Sequence, residues 1–363
     1  MKEIAENFQI YGNFLESRPY GSGHINDTFV AAFSQAGVRV RYIFQRINNQ
    51  IFKNPIQLME NIVRVTGEAT AQLEQEGIPD SSRRALLVIP ALDGQPFFLN
   101  GNDRYWRCYL FIEGARTYDI VESEEQACEA ARAFGEFQKL TAGLSGERLH
   151  ETIPNFHNSR SRLNELKKVV EANPCNRLNG VAAEWDFIRR REDLVEVLLR
   201  LQEQGEIPER ITHNDTKLNN VMIDDATETG ICVIDLDTVM PGLALYDFGD
   251  MVRTAISPAA EDERDLSKVG VQMPMFEALV GGYLSSTRDF LNGAEIEHLV
   301  FAGKLMVLEC GIRFLQDHLQ GDTYFKIHRP DHNLDRCRTQ LRLVESIEKQ
   351  EEAMKALVRK VAK

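Results

Sequence analysis

Hydrophobic and polar positions divide the chain into two regimes. Over the first 113 residues, short β-branched and aromatic runs recur at 27–33, 38–47, 85–90 and 105–112, with Gly, Pro and Asn between them. Such runs predict strands. One helical stretch interrupts them: Pro55 opens it, and Ile56, Met59, Ile62, Val63 and Thr66 mark one face as far as about Gln75. After Glu113-Gly114 the spacing becomes helical. Ala127, Ala130, Ala131, Phe134 and Phe137 form one stripe over 124–140, and helices are predicted at 160–171, 184–204, 273–290, 294–319 and 334–361. The expected class is therefore α+β, with a strand-rich N-terminal lobe over 1–113 and a helical C-terminal lobe over 114–363.

Inside the helical half lies a short β-rich insert. Arg210-Ile211-Thr212 leads into His213, Val221-Met222-Ile223 follows, and Ile231-Cys232-Val233-Ile234 precedes Asp235. The polar segment 224–230 reads as the turn between the last two runs. A hairpin there gathers its polar ends, and those ends carry the candidate chemistry.

Composition narrows the partners. A hydrophobic content of 43% and a charged content of 27% are ordinary for a folded protein. No apolar run is long enough for a transmembrane helix, and the first residues lack the apolar core of a secretion signal. Six scattered cysteines without a C-x-x-C pair read as reduced thiols of a cytoplasmic protein. The net charge of −13 argues against nucleic acid or an anionic membrane as partner. An acidic protein that handles a polyanion needs local cations, and aspartates holding Mg²⁺ are one means of supplying them.

His213-x-Asp215-x-x-x-x-Asn220, followed by Asp235 at the end of the next apolar run, is the strongest signal in the chain. Phosphoryl transfer asks a protein mainly for positioning and charge neutralisation. Asp215 is placed to accept a hydroxyl proton, while Asn220 and Asp235 are placed to hold Mg²⁺. Asp237 is two residues beyond Asp235; on an extended chain it would point to the same side and share the metal.

The run 213–220 resembles the catalytic loop of the aminoglycoside phosphotransferase and choline kinase superfamily. Asp235 matches that family's metal-binding Asp, and Asp247 in Tyr246-Asp247-Phe248-Gly249-Asp250 matches its buried Asp that braces the loop. The resemblance implies a bilobal protein-kinase-like fold with a hinge near Leu110–Gly114, and ATP as phosphoryl donor with Mg²⁺. Further stretches, including 20–26, 42–45, 234–242 and 309–315, are similar to bacterial kinases of this family that act on N-acetylhexosamines. That similarity implies phosphorylation of the anomeric hydroxyl of N-acetylglucosamine or N-acetylgalactosamine, with the sugar and ATP as partners. Kinases of other small alcohols (choline, homoserine, methylthioribose, an aminoglycoside) and a nucleotide-binding pseudokinase remain alternatives. A long protein-kinase activation loop does not fit between Asp235 and Asp247.

Around the motif, Gly21 and Gly23 begin a glycine-rich turn entering a strand, a candidate cover for the ATP phosphates. The lysine usual on the third strand is missing: its position holds Gln45, with Arg46 on the opposite face. Gln45 can donate a hydrogen bond to phosphate but brings no charge. Phe111 and Glu113 lie where a hinge would meet adenine. Arg313 sits in an apolar helical stretch with Glu309 and Asp317 four residues to either side, so an intrahelical salt-bridge row is the plain account. The resemblance instead assigns Arg313 and Tyr324 to the sugar, with His24 a weaker candidate.

Overall fold

A computed structural model describes residues 1–21, 25–101 and 103–363. The chain forms two compact units, one of residues 1–117, 140–154 and 220–241, the other of 118–139, 155–219 and 242–363. The β-rich insert is thus divided: its hairpin falls in the unit that contains the N-terminal sheet, while the segment before it belongs with the helices.

In the first unit, β1 (Asn13–Pro19), β2 (Asp27–Gln35), β3 (Val38–Arg46), β4 (Val88–Ile89), β5 (Phe98–Asn100) and β6 (Arg104–Leu110) form one antiparallel sheet. The strand order is β1-β2-β3-β6-β4, with β5 on β6. Its core holds Phe8, Ala31, Phe33, Tyr42, Phe44, Trp106 and Cys108, against which the short helix α1 (Lys2–Ala5) packs Ile4 and Ala5. The run at 85–90 yields only the two residues of β4, whereas β1 was not predicted. The sequence of β1 is polar, Asn-Phe-Leu-Glu-Ser-Arg-Pro, as suits an edge strand exposed along most of its length.

Helix α2 (Pro55–Gln75) starts where expected, with Asn54 as N-cap accepting from the Gln57 amide and Pro55 in the first turn. Its buried face is rotated from the expected one. Leu58, Met59, Ile62, Val65, Ala69 and Leu73 are buried, while Ile56 and Val63 are exposed. The short helix α3 (Ser81–Arg84) follows. A second, three-stranded sheet joins β7 (Ala115–Arg116) to the hairpin described below.

The second unit is helical: α4 (Glu124–Thr141, ending beyond the unit), α5 (Ser159–Ala172), α6 (Ala182–Arg189) and α7 (Val197–Glu203) lead to the short strand β8 (Arg210–Thr212). The hairpin strands β9 (Val221–Asp224) and β10 (Gly230–Val233) and the short β11 (Met240–Gly242) then precede α8 (Ala244–Ala255), α9 (Met273–Thr287), α10 (Gly293–Glu297), α11 (Leu299–Gln320) and α12 (His332–Val361). The predicted helix at 184–204 is broken into α6 and α7 by a 3₁₀ turn over Glu192–Glu196. The predicted helix at 294–319 is broken at His298, after α10 with its Asn292–Glu295 capping box. Helix α11 is the centre of this unit, packed by α5, α8 and α12. It approaches α8 closely enough that a Cβ at Gly249 would sit 2.6 Å from the Ala302 carbonyl oxygen, which leaves room for glycine alone.

Candidate active site

The candidate catalytic-loop segment follows β8 and is held by a run of its backbone amides together with side-chain contacts such as Thr216 Oγ1 to the Asp247 carbonyl (2.6 Å). The Asp247 carboxylate, fully buried in the first turn of α8, accepts from the amides of His213 (2.9 Å) and Asn214 (2.7 Å) and from Gln138 Nε2 (2.6 Å). Gln138 is itself oriented by the Tyr283 hydroxyl, 2.6 Å from its Oε1. The Asp215 amide donates to the ring Nδ1 of its neighbour His213 (3.2 Å), and the Thr216 amide donates to Asp250 Oδ2 (2.9 Å). Four consecutive amides are thus fixed by two carboxylates from one helix and an imidazole. The His213 ring packs edge-on against Phe134 and Phe137 of α4.

This clamp holds Asn214 at φ 65°, a left-handed conformation that Asn tolerates and that turns the loop at the candidate base. Burial raises the Asp247 carboxyl above its ordinary value, against the opposing effect of His213 and the amides it accepts from. Asp250 goes the other way: burial would raise it, but the Arg253 guanidinium at 2.7 Å holds it below the usual range. Asp215 itself is part-exposed and lies 3.1 Å from Lys217 Nζ, a cation that the motif reading left unassigned.

In the first unit, β9 and β10 pair with Val221 opposite Val233, and the Ile234 amide donates to the Asn220 carbonyl (2.9 Å). Asn220 and Asp235 therefore stand at the same end of one hairpin. Asp235 is exposed and left-handed (φ 59°, ψ 55°), and a 3₁₀ turn over Leu236–Thr238 follows it. That turn removes the extended geometry on which a shared metal role for Asp237 depended. Asp237 is buried instead, with one carboxylate oxygen ion-paired to Arg107 and the other accepting from Asn26 Nδ2 at 2.5 Å.

Gln45 is also committed internally. Its Oε1 accepts from Arg107 Nε at 2.9 Å and its Nε2 donates to Thr28 Oγ1 at 3.0 Å. Arg46 points away to pair with Asp27, as strand alternation requires. Gly21 has φ +80° with open space around it, so glycine is needed for the backbone rather than for packing. Gly23 and His24 lie outside the described residues. At the expected hinge, Phe111 is buried beneath the Arg41 guanidinium, 3.8 Å from its ring centre, and Glu113 pairs with Arg41. Arg83 takes the Glu113 carbonyl at 2.8 Å, so that carbonyl already has a partner.

Arg313 does not join a salt-bridge row along α11. Both oxygens of buried Glu309 are used elsewhere, by His157 Nδ1 (2.8 Å) and Ser159 Oγ (2.5 Å). Burial would raise the Glu309 carboxyl, but His157, Ser159 and Arg313 together hold it below its ordinary value. Asp317 accepts from the amides of Thr323, Tyr324 and Phe325 at 2.8–2.9 Å and so fixes the turn that presents Tyr324, which is 65% exposed. Arg313 lies instead between two rings, 5.5 Å from Phe156 and 5.4 Å from Phe325.

Arg162 of α5, which sequence reasoning missed, is close enough to Arg313 that burial and that second cation lower its pKa from the ordinary value. It donates twice to the Phe156 carbonyl. Among the described residues neither guanidinium is ion-paired to a carboxylate. His157 ties this cluster to the catalytic loop, since its Nε2 is 3.1 Å from the Asn214 carbonyl oxygen while Nδ1 holds Glu309, one helical turn before Arg313.

A strand-rich N-terminal part, a helical C-terminal part and a clamped H-x-D-x₄-N loop followed by an exposed Asp define the kinase-like class of phosphotransferases. The APH phosphotransferase enzyme family model matches residues 16–270, and the chain belongs to that family, whose members are phosphotransferases. Among solved structures, 100% of the chain aligns with 96% of an aminoglycoside phosphotransferase from Alicyclobacillus acidocaldarius, at TM-score 0.64 and 11% identity. A choline kinase from Cryptosporidium parvum aligns over 97% of this chain and 96% of its own, at TM-score 0.60 and 14% identity. A microcompartment-associated aminopropanol kinase aligns over 97% of each chain, at 0.57 and 16%. These similarities establish a shared fold.

Among the described residues no group of three or more His, Cys, Asp or Glu side chains is arranged to hold a metal, and no helix is long and apolar enough to cross a membrane. All six cysteines are unpaired.

Proposed function

We propose that this protein is an ATP- and Mg²⁺-dependent sugar kinase that phosphorylates the anomeric hydroxyl of an N-acetylhexosamine. The observation that carries the acceptor class is the pair Arg162 and Arg313. Two neighbouring guanidinium groups, with the nearby carboxylates of Glu309 and Asp317 engaged elsewhere, repel a cationic alcohol such as choline or an aminoglycoside. They suit a neutral acceptor rich in hydroxyl and carbonyl oxygens. Phe156 and Phe325 supply apolar faces for the C–H side of a sugar ring, and exposed Tyr324 adds a hydroxyl.

The donor set at the hairpin end fits Mg²⁺, which takes few protein oxygens and completes its shell with water and phosphate. Asn220 and Asp235 would hold it, and Mg²⁺ when bound neutralises charge on the phosphates. Asp237, committed to Arg107, is assigned an anchoring role. Asp215 accepts the proton of the anomeric hydroxyl as the new O–P bond forms and the bond between the β–γ bridging oxygen and the γ-phosphorus breaks, releasing ADP. Lys217, paired with Asp215, is positioned to meet the negative charge of the transferred phosphoryl group. Gly21 and Gly23, with Phe111 and Glu113, remain the candidate nucleotide contacts.

The test is ADP release with N-acetylglucosamine, N-acetylgalactosamine, their parent hexoses, choline, homoserine, methylthioribose and an aminoglycoside. Turnover on an N-acetylhexosamine that disappears in Asp215→Asn supports the proposal. Turnover only on a cationic alcohol overturns the acceptor reading, and no turnover on any of them favours the pseudokinase alternative.

A further inference from the structure

Position 45 lacks the cation that kinases of this architecture place on their third strand, yet the structure puts a cation beside it. Arg107 on β6 is the register partner of Gln45 on β3. Its side chain is 1% exposed, with Nε donating to Gln45 and Nη1 paired to Asp237. Asp235 also attracts this guanidinium, and with Asp237 it outweighs the cost of burial, so Arg107 stays charged.

The other oxygen of Asp237 is held by Asn26, which follows the glycine-rich turn. Asn26 in turn accepts from the Asn48 amide at 3.0 Å. Arg107, in the middle of β6, and Asn26, just before β2, therefore grip one carboxylate, two residues beyond an exposed, left-handed Asp235. A left-handed non-glycine residue is unfavourable on its own and persists when its surroundings enforce it.

We infer that Arg107 is the positioning cation of the nucleotide site: displaced by one strand from the usual lysine, it fixes Asp237 and so sets the turn that presents Asp235 to the metal. The inference rests on the proposed metal role of Asp235. It explains why Gln suffices at position 45, where an amide oxygen orients the guanidinium and a lysine would oppose it. It also couples the segment after the glycine-rich turn to the metal-binding turn through a single buried carboxylate.

The experiment is calorimetric ADP binding with and without Mg²⁺, read as the ratio of the two affinities, on the full chain. In Arg107→Gln/Asp237→Asn the buried charges are removed together, so no lone ion is left in the interior. The Mg²⁺-dependent gain in affinity is expected to fall roughly tenfold or more, with metal-free ADP binding kept. Arg107→Lys keeps the charge but replaces the planar fork, whose Nε and Nη1 serve Gln45 and Asp237 separately, with a single ammonium nitrogen, and is expected to lose part of the gain. Gln45→Lys/Arg107→Gln returns the cation to the third strand and is expected to recover more of it than Arg107→Gln alone. A folded Arg107→Gln/Asp237→Asn variant with the wild-type ratio overturns the inference; if that variant does not fold, a wild-type ratio in Arg107→Lys does so. A wild-type protein whose ADP affinity ignores Mg²⁺ instead overturns the functional reading beneath it.

Discussion

Asp247→Asn probes the clamp on the catalytic loop with the smallest change of shape. One of the two oxygens becomes an amide nitrogen, yet three donors still point at the side chain: the amides of His213 and Asn214 and Gln138 Nε2. The better orientation keeps oxygen toward His213 and Gln138, which leaves an NH₂ facing the Asn214 amide where the oxygen now sits at 2.7 Å. A stranded buried donor costs about 1–3 kcal/mol. Two further bonds fall from charge-assisted to neutral strength, roughly halving each. Against this, the buried carboxylate already sits in surroundings that raise its pKa, so neutralising it returns part of the loss. The net is about 2–4 kcal/mol, or a fall in Tm of about 4–8 °C at roughly 2 °C per kcal/mol for a chain of this size.

Because the strain falls on Asn214, beside the candidate base, kcat should drop by about tenfold or more even where the protein remains folded. Asp247→Ala strands all three donors and should melt lower still. Differential scanning calorimetry with steady-state ADP release measures both effects. An Asp247→Asn protein that melts within about 1 °C of wild type with unchanged kcat would refute the clamp as an energetic element.

Asp235→Ala should cut turnover by roughly 10²–10³-fold while metal-free ADP still binds; near-wild-type turnover would remove Asp235 from the metal site. Arg313→Ala and Arg162→Ala should each raise the acceptor KM about tenfold or more and leave the ATP KM nearly unchanged, since a charge-assisted bond is worth about 1.5–3 kcal/mol; equal effects on both constants would place them elsewhere. Glu309 is held below its ordinary pKa, so its contribution to stability is full above the usual carboxylate range, near ~4.3, and is lost as pH falls through the folded value. Urea unfolding between about pH 3 and 7 should therefore show a shallower acid slope for Glu309→Gln than for wild type, and coincident slopes would contradict the His157–Glu309–Ser159 arrangement.

Local pattern alone marks several of the elements and the candidate reacting groups. Pro55 behind Asn54 starts α2, the alanine–phenylalanine stripe makes α4, and the spacing of His213, Asp215, Asn220 and Asp235 marks the ends of a strand and a hairpin. Those features depend on neighbours within one or two turns or one strand, which a linear pattern records. Asp237, Gln45 and Arg313 were decided only by tertiary structure. Asp235 and Asp237 look alike in sequence, but a left-handed residue and a 3₁₀ turn leave one exposed and put the other beneath Arg107. Arg107 reads as one polar residue in a buried strand until β3 pairs with β6 and sets it against Gln45. Glu309 and Asp317 are spaced to pair with Arg313, yet His157, Ser159 and the 323–325 turn take them first. Buried charge is satisfied by whichever partner folding brings near, and that partner can lie far away along the chain.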